Sequence, residues 1–271
     1  MTQNGCSLPY EKACDWRQCL LDTAQYALVM AGVCWLLLAG SERLGYNWQW
    51  YQIPKYLFTM GEEGFRAGPL LDGLLVTFQI TAASMGLAFA VGLATALFRM
   101  SSYVSLRTVA RVYMELIRNS PLLIQLFFIY FVIAPVLDMS AFWAAVLALS
   151  LFEGAYASEI FRAGITSIDK GQFEAARGQG MGPYVMYTYI ILPQAIRRIL
   201  PPLTGQVVSL VKDSALVSTI AIMDLTMQGQ NIVAETFLTF EVWFTVAAIY
   251  LAVTVTLSRL AAVMEKRLML T

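Results

Sequence analysis

Three charges sit where charges are costly: Glu153, Lys212 and Asp213 each fall inside a long apolar run. On insertion scales an ionised side chain at the middle of a bilayer costs roughly 2.5–3.5 kcal/mol, so such residues pair with one another or line a polar cavity. Lys212 and Asp213 are neighbours in the chain and point about 100° apart on a helix. If Lys212 pairs with one of the two acids, the other carboxylate is left to receive a cation such as an ammonium group. A closed three-charge network that only holds helices together fits the same residues, and the sequence leaves both readings open. Glu159 differs, because Arg162 follows three residues later and a helix-surface ion pair accounts for both.

A second group is polar and lies between apolar runs: Glu174-Ala175-Ala176, then Gly180, then Ile190-Ile191-Leu192-Pro193. Asp169 followed by Gln172 has the spacing of a helix-entry cap, which places Glu174 in the first turns of a short helix. Gly178, Gly180 and Gly182 should then break it. Pro183 suits the first position of a second short helix, where its missing N–H costs nothing, and Pro193 should mark that helix's end. The expected product is a helix-turn-helix knob facing water. Enzymatic chemistry finds no support, since the chain has no His, no Cys-x-x-Cys pair and no recognisable nucleophile elbow. It also lacks a Gly-x-x-x-x-Gly-Lys-Ser/Thr phosphate loop, so any ATP must be handled by another polypeptide. Cys6, Cys14, Cys19 and Cys34 read as unpaired thiols, and no metal or cofactor is implied.

Membrane-spanning helices must position these residues. Hydrophobic residues make up 58% of the chain and charged ones 13%, with mean hydropathy +0.63, whereas soluble domains carry roughly 25% charged residues. The formal net charge of +0 and the lack of a basic tract argue against nucleic acid and make lipid the main surroundings. Apolar runs of spanning length lie at about 24–40, 70–98, 112–136, 140–161, 201–223 and 239–264. The charged leader before the first run mixes Glu11, Asp15 and Asp22 with Lys12 and Arg17. That run also exceeds the roughly 7–15 residues of a signal core, so a retained helix is expected. Trp48, Trp50, Tyr51, Tyr56 and Phe58 in the connection that follows suit an interfacial helix bracing the fold. Gly86, Ala90, Gly92 and Ala94 suggest close helix approach in the second run. Arg99, Arg107, Arg111 and Arg118, then Arg162, Lys170, Arg177, Arg197 and Arg198, fall on alternate connections, while the segments around Asp138 and from Asp224 to Glu241 carry no Lys or Arg. The positive-inside tendency therefore puts the Glu174 loop and both termini in the cytoplasm.

The loop resembles the EAA loop of bacterial ABC-transporter permease subunits, in which Glu-Ala-Ala, a Gly six residues after the Glu and an Ile-x-Leu-Pro ending recur at this spacing. Further matches are Glu115-Leu116-Ile117-Arg118-Asn119-Ser120-Pro121-Leu122-Leu123, Ala155 to Ile165, Gly171-Gln172-Phe173, Lys212 to Val217, and Thr236-Phe237 with Phe240-Glu241. Together they resemble the polar amino acid uptake branch, over about 68–268. The resemblance implies an all-α integral membrane protein: a five-helix ABC importer permease core over 70–271, its EAA loop at about 166–198. Residues 1–69 then add a cytoplasmic tail, one extra N-terminal transmembrane helix and an aromatic periplasmic connection. It implies an importer in the bacterial inner membrane that carries polar amino acids, with a separate ATPase subunit, a periplasmic or extracellular binding protein and a second permease copy or sister permease as partners. Glu174, Ala175, Ala176, Gly180 and Pro193 would couple to the ATPase; the cost of burying Glu153, Lys212 and Asp213, and not the resemblance, makes those three the candidates for the substrate path. In place of the family's small and aliphatic residues, this chain has Arg177-Gly178-Gln179, and the extra Gly costs about 1 kcal/mol of helix stability relative to Ala. A stand-alone carrier or channel driven by ion gradients is the competing class. It calls for inverted repeats and a second set of midplane acids, and the sequence displays neither.

Overall fold

The computed structural model describes residues 23–32, 35, 39–40, 46–61 and 64–269, and the chain divides into two compact units, 1–48 and 49–271. In the first unit residues 23–32 are helical. The rest of the expected span 24–40 lies largely outside the described residues, so its crossing remains an expectation.

The second unit is helical apart from one small hairpin. A 3-10 turn at Trp50–Gln52 and a helical turn at Pro54–Leu57 lead into β1 (Phe58–Gly61), paired antiparallel with β2 (Gly64–Ala67). The aromatic connection therefore folds partly as a hairpin where a helix was expected. Ile53 brings it onto the core, buried with Leu70, Leu225, Leu238 and Val242. The helices that follow are α1 (Pro69–Met100), α2 (Val104–Arg118), α3 (Leu122–Phe128, continued as a π turn over Ile129–Ile133 and one α turn over Ala134–Val136) and α4 (Ala141–Thr166). Next come α5 (Lys170–Gly178), α6 (Pro183–Met186), α7 (Leu192–Asp213), α8 (Leu225–Thr236) and α9 (Thr239–Met269). Among the described residues three helices are long and apolar enough to cross a membrane, and five spans result if each of two bent pairs counts as one. That matches the five-helix core.

The central packing is α1 against α4. The second run was expected to approach its neighbour through Gly86, Ala90, Gly92 and Ala94, but the buried seam is Thr77, Ser84, Ala88, Gly92 and Thr95. Only Gly92 is shared. A Cβ there would sit 2.8 Å from the Ala157 Cβ and 3.0 Å from the Gly154 carbonyl, so the backbones touch at that point. The i, i+4 spacing was right and its phase was not, because Thr and Ser also pack closely when their hydroxyls bond back to the helix. Thr77 and Thr81 do so, to Gly73 and Thr77 carbonyls at 3.1 and 2.8 Å.

The third expected span, 112–136, is two helices bent by 108°. Pro121 has no N–H to continue α2, and the carbonyls left open are taken by side chains. Asn119 Nδ2 donates to Glu115 O at 2.8 Å, Ser120 Oγ to Leu116 O at 2.7 Å, and Gln125 Nε2 to Ile117 O at 2.7 Å. A bend inside a bilayer is tolerable only with such replacements.

Candidate functional site

The loop after α4 is built as a rigid knob. Asp169 caps α5, its carboxylate accepting from Gly171 N at 2.6 Å. Gln172 does not complete the cap, since its Oε1 accepts instead from Gln194 on α7 at 3.2 Å. Gly178 stays helical, and the break comes at Gly180, whose φ is +76°. Gly180 N donates to Arg177 O at 2.9 Å and Met181 N to Ala176 O at 3.1 Å, the pair of bonds that closes a helix end around a left-handed residue. Ala176 is buried with Met181 packed against it, while Glu174 and Ala175 face outward. Among the described residues Glu174 makes no ion pair or side-chain hydrogen bond.

Pro193 does not end a helix. A π turn over Tyr187–Ile191 widens the backbone just before it, and Leu192 N donates five residues back to Tyr187 O, so the ring and the missing N–H fit without a break. α6, the π turn and α7 run on to Asp213, and a 3-10 stretch over Ser214–Ile220 extends them. The expected fifth span, 201–223, is thus the distal part of one long rod beginning at Pro183. Arg198 fastens that rod to the end of α4, its Nη1 donating to Ser167 Oγ at 3.0 Å. The knob also exposes Tyr184 (79%) and Tyr189 (72%), and α7 exposes Ile196 (48%) just after it.

Of the three interior charges, the structure brings the two acids together. Glu153 on α4 is buried and its carboxyl meets that of Asp213, half-buried at the end of α7. Lys212 borders a cleft lined by Thr254, Val255 and Arg259 of α9; its charge is felt by the adjacent Asp213, but no ion pair joins it to either acid among the described residues. Consecutive positions on a helix diverge too far for both to reach α4. Glu153 Oε2 has no hydrogen-bond partner. The cavity beside it is about 10 Å³, so this conformation has no room there for an amino acid.

Glu159 was expected to pair with Arg162, and it does at 3.0 Å, but it also holds Arg99 at 2.8 Å and Arg118 at 3.1 Å. Sequence reading missed the last two because they arrive from α1 and α2. They border a chamber of about 750 Å³. Two acids named in the sequence were given no structural role: Asp224, which caps α8 by accepting from Met227 N at 2.9 Å, and Glu241, which accepts from Gln49 N at 2.6 Å. Both are fully buried at loop–helix junctions. The cap spacing at Asp224 was the one available signal.

Comparison with known proteins bears on the whole core. A family model described as the binding-protein-dependent transport system inner membrane component matches residues 70–270. A glutamine transport system permease protein of Escherichia coli K12 is 36% identical over 202 residues, covering 73% of this chain and 92% of that one. An octopine transport system permease protein of Rhizobium radiobacter is 35% identical over 206 residues, 72% of this chain and 84% of that one. Among solved structures, an amino acid ABC transporter crystallised with histidines superposes with TM-score 0.69 at 41% identity, over 73% of this chain and 94% of that one. These matches decide between the two classes left open, against a self-sufficient carrier. The chain is a multi-pass inner-membrane protein that belongs to the binding-protein-dependent transport system inner membrane components, the permease subunits of ABC importers, whose ATP hydrolysis is performed by a separate subunit.

Proposed function

We propose that this permease carries polar amino acids into the cytoplasm, working with a second permease copy or a sister permease, a binding protein that delivers substrate and an ATPase that docks on the α5–α6 knob. The observation that carries the docking role is Glu174: an exposed acid with no partner among the described residues, on a helix capped at both ends, in a knob that also exposes Tyr184 and Tyr189. An unpaired acid on a rigid mount suits a basic residue of another chain. The single rod from Pro183 into the α7 region gives a route for motion, because a displacement of the knob moves the helix that holds Asp213 against Glu153. The names of the relatives at 35–36% identity support an amino acid or a derivative of one as cargo. The Lys/Arg distribution supports a cytoplasmic knob and cytoplasmic termini.

Replacing Glu174 with Lys in the assembled importer tests this reading. Substrate-stimulated ATP hydrolysis should be lost while membrane insertion is unchanged, and wild-type uptake in that variant would remove the docking role. Gly180→Val should act in the same direction, since a left-handed backbone costs a side-chain-bearing residue roughly 1–2 kcal/mol. For orientation, a cysteine at Gly182 in a background without the native cysteines should react with impermeant reagent only from the cytoplasmic side, and one at Asn231 only from outside.

A further inference from the structure

The chamber of about 750 Å³ lies between the C-terminal end of α1, the length of α2 and the C-terminal half of α4. Five arginines line it, Arg99, Arg107, Arg111, Arg118 and Arg162, against two glutamates. Glu159 occupies three of the five. Arg107 and Arg111 have no ion-pair partner among the described residues. Their guanidinium forks are fixed in charge and shaped for a planar anion, and a carboxylate takes two parallel hydrogen bonds from one fork. The volume lies in the ordinary range for small-molecule sites, roughly 300–1,000 Å³.

The placement on α2 says which kind of anion. Arg107, Arg111 and Arg118 follow one another on a single stripe of the helix. Val109, Val112 and Leu116 are exposed at 50–66% and lie about 150° around the axis from it. The apolar stripe is the one suited to acyl chains, and the arginines point away from it. The chamber also sits at the end of α4 that runs into Ser167 and the Asp169 cap, the same end as the coupling knob. An importer releases cargo at that end.

We infer that Arg107 and Arg111 receive the α-carboxylate of the amino acid as it leaves the permease, in a chamber whose positive excess favours neutral and acidic amino acids over basic ones. This extends the amino acid reading above from the class of cargo to the group on it that is recognised. Glu159 is a fixed internal anion that keeps three of the arginines in place, so the incoming carboxylate meets the two that are free.

Chemical labelling of arginine in the purified permease–ATPase complex tests the site without the binding protein. Phenylglyoxal modification of Arg107 and Arg111, resolved by mass spectrometry, should be slowed by millimolar glutamine or glutamate. Glutaminamide, which lacks the carboxylate, should have no effect. In the complete importer, Arg107→Gln with Arg111→Gln should lower kcat/KM for uptake by about tenfold, the factor that one charge-assisted hydrogen bond of roughly 1.4 kcal/mol supplies. Folded yield should hold, because neither arginine takes part in an ion pair among the described residues. Equal protection by glutaminamide, or none by any of the three, overturns the inference. So does protection only by phosphatidylglycerol vesicles, which would make the chamber a lipid headgroup site. If carboxylates protect but the wild-type importer takes up no amino acid, the carboxylate site stands and the cargo reading falls.

Discussion

Glu153 and Glu159 lie on the same helix, six residues or about 9 Å apart along its axis, and they live in opposite surroundings. Glu159 gathers arginines from three helices within 3.1 Å and is partly open, its side chain 29% exposed. Glu153 is 4% exposed, has no ion pair among the described residues and faces another carboxyl. One residue type on one helix thus does two jobs. At Glu159 the carboxylate is an integral part of the packing, because removing it strands three cations around the end of α4. At Glu153 no ion pair among the described residues offsets the cost of burial, which is why the proposed transport path includes it. The difference comes from what α1, α2 and α7 bring to each position.

The contrast rests on how closely α1 approaches α4, so the largest effect should come from forcing them apart. Gly92→Leu puts a side chain where even a Cβ lies 2.8 Å from Ala157. Overpacking of this kind costs about 1–3 kcal/mol when the core can shift, and more when two backbones are in contact. Detergent-extracted yield should drop sharply, and normal yield would show that the two helices separate freely.

Glu159→Gln should come next, with a loss of about 1–3 kcal/mol from the three arginines left without their anion. Thermal unfolding of the solubilised protein measures it. Arg99→Gln should reproduce part of the loss, since it removes the 2.8 Å contact and leaves two. A variant at Glu159 as stable as wild type would erase the distinction between the two acids.

Glu153→Gln should have the smallest effect on stability. Replacing a buried carboxyl that faces another acid is neutral or stabilising, by up to about 1 kcal/mol. Its yield and melting temperature should match or exceed wild type while uptake falls. Wild-type uptake together with unchanged stability would remove Glu153 from the transport path.

Much of the knob was legible in the residues themselves. Asp169 caps a helix, Pro183 starts one and Gly180 adopts positive φ because these are local properties of a carboxylate, a ring and a missing Cβ. Pro193 was misread by the same local logic. A proline ends a helix only if nothing upstream absorbs it, and a π turn depends on packing around Ile191 and Ala195, both fully buried. The interior charges were located as costly, but the sequence left open whether Lys212 pairs with either acid, and helix rotation places it beside α9.

The sequence by itself therefore determined that the chain is a bundle of membrane helices, where three of them begin and end, and that Glu174 lies exposed on a short capped helix. Each of these follows from apolar run length, capping chemistry and backbone freedom, which act within a few residues. Only the tertiary structure decided which charges meet between helices. Arg99 reaches Glu159 across 60 positions of chain and Asp213 reaches Glu153 across the same number. Those meetings depend on the rotation and crossing of whole helices, set by small-residue contacts such as Gly92 against Ala157 and by the 108° bend at Pro121.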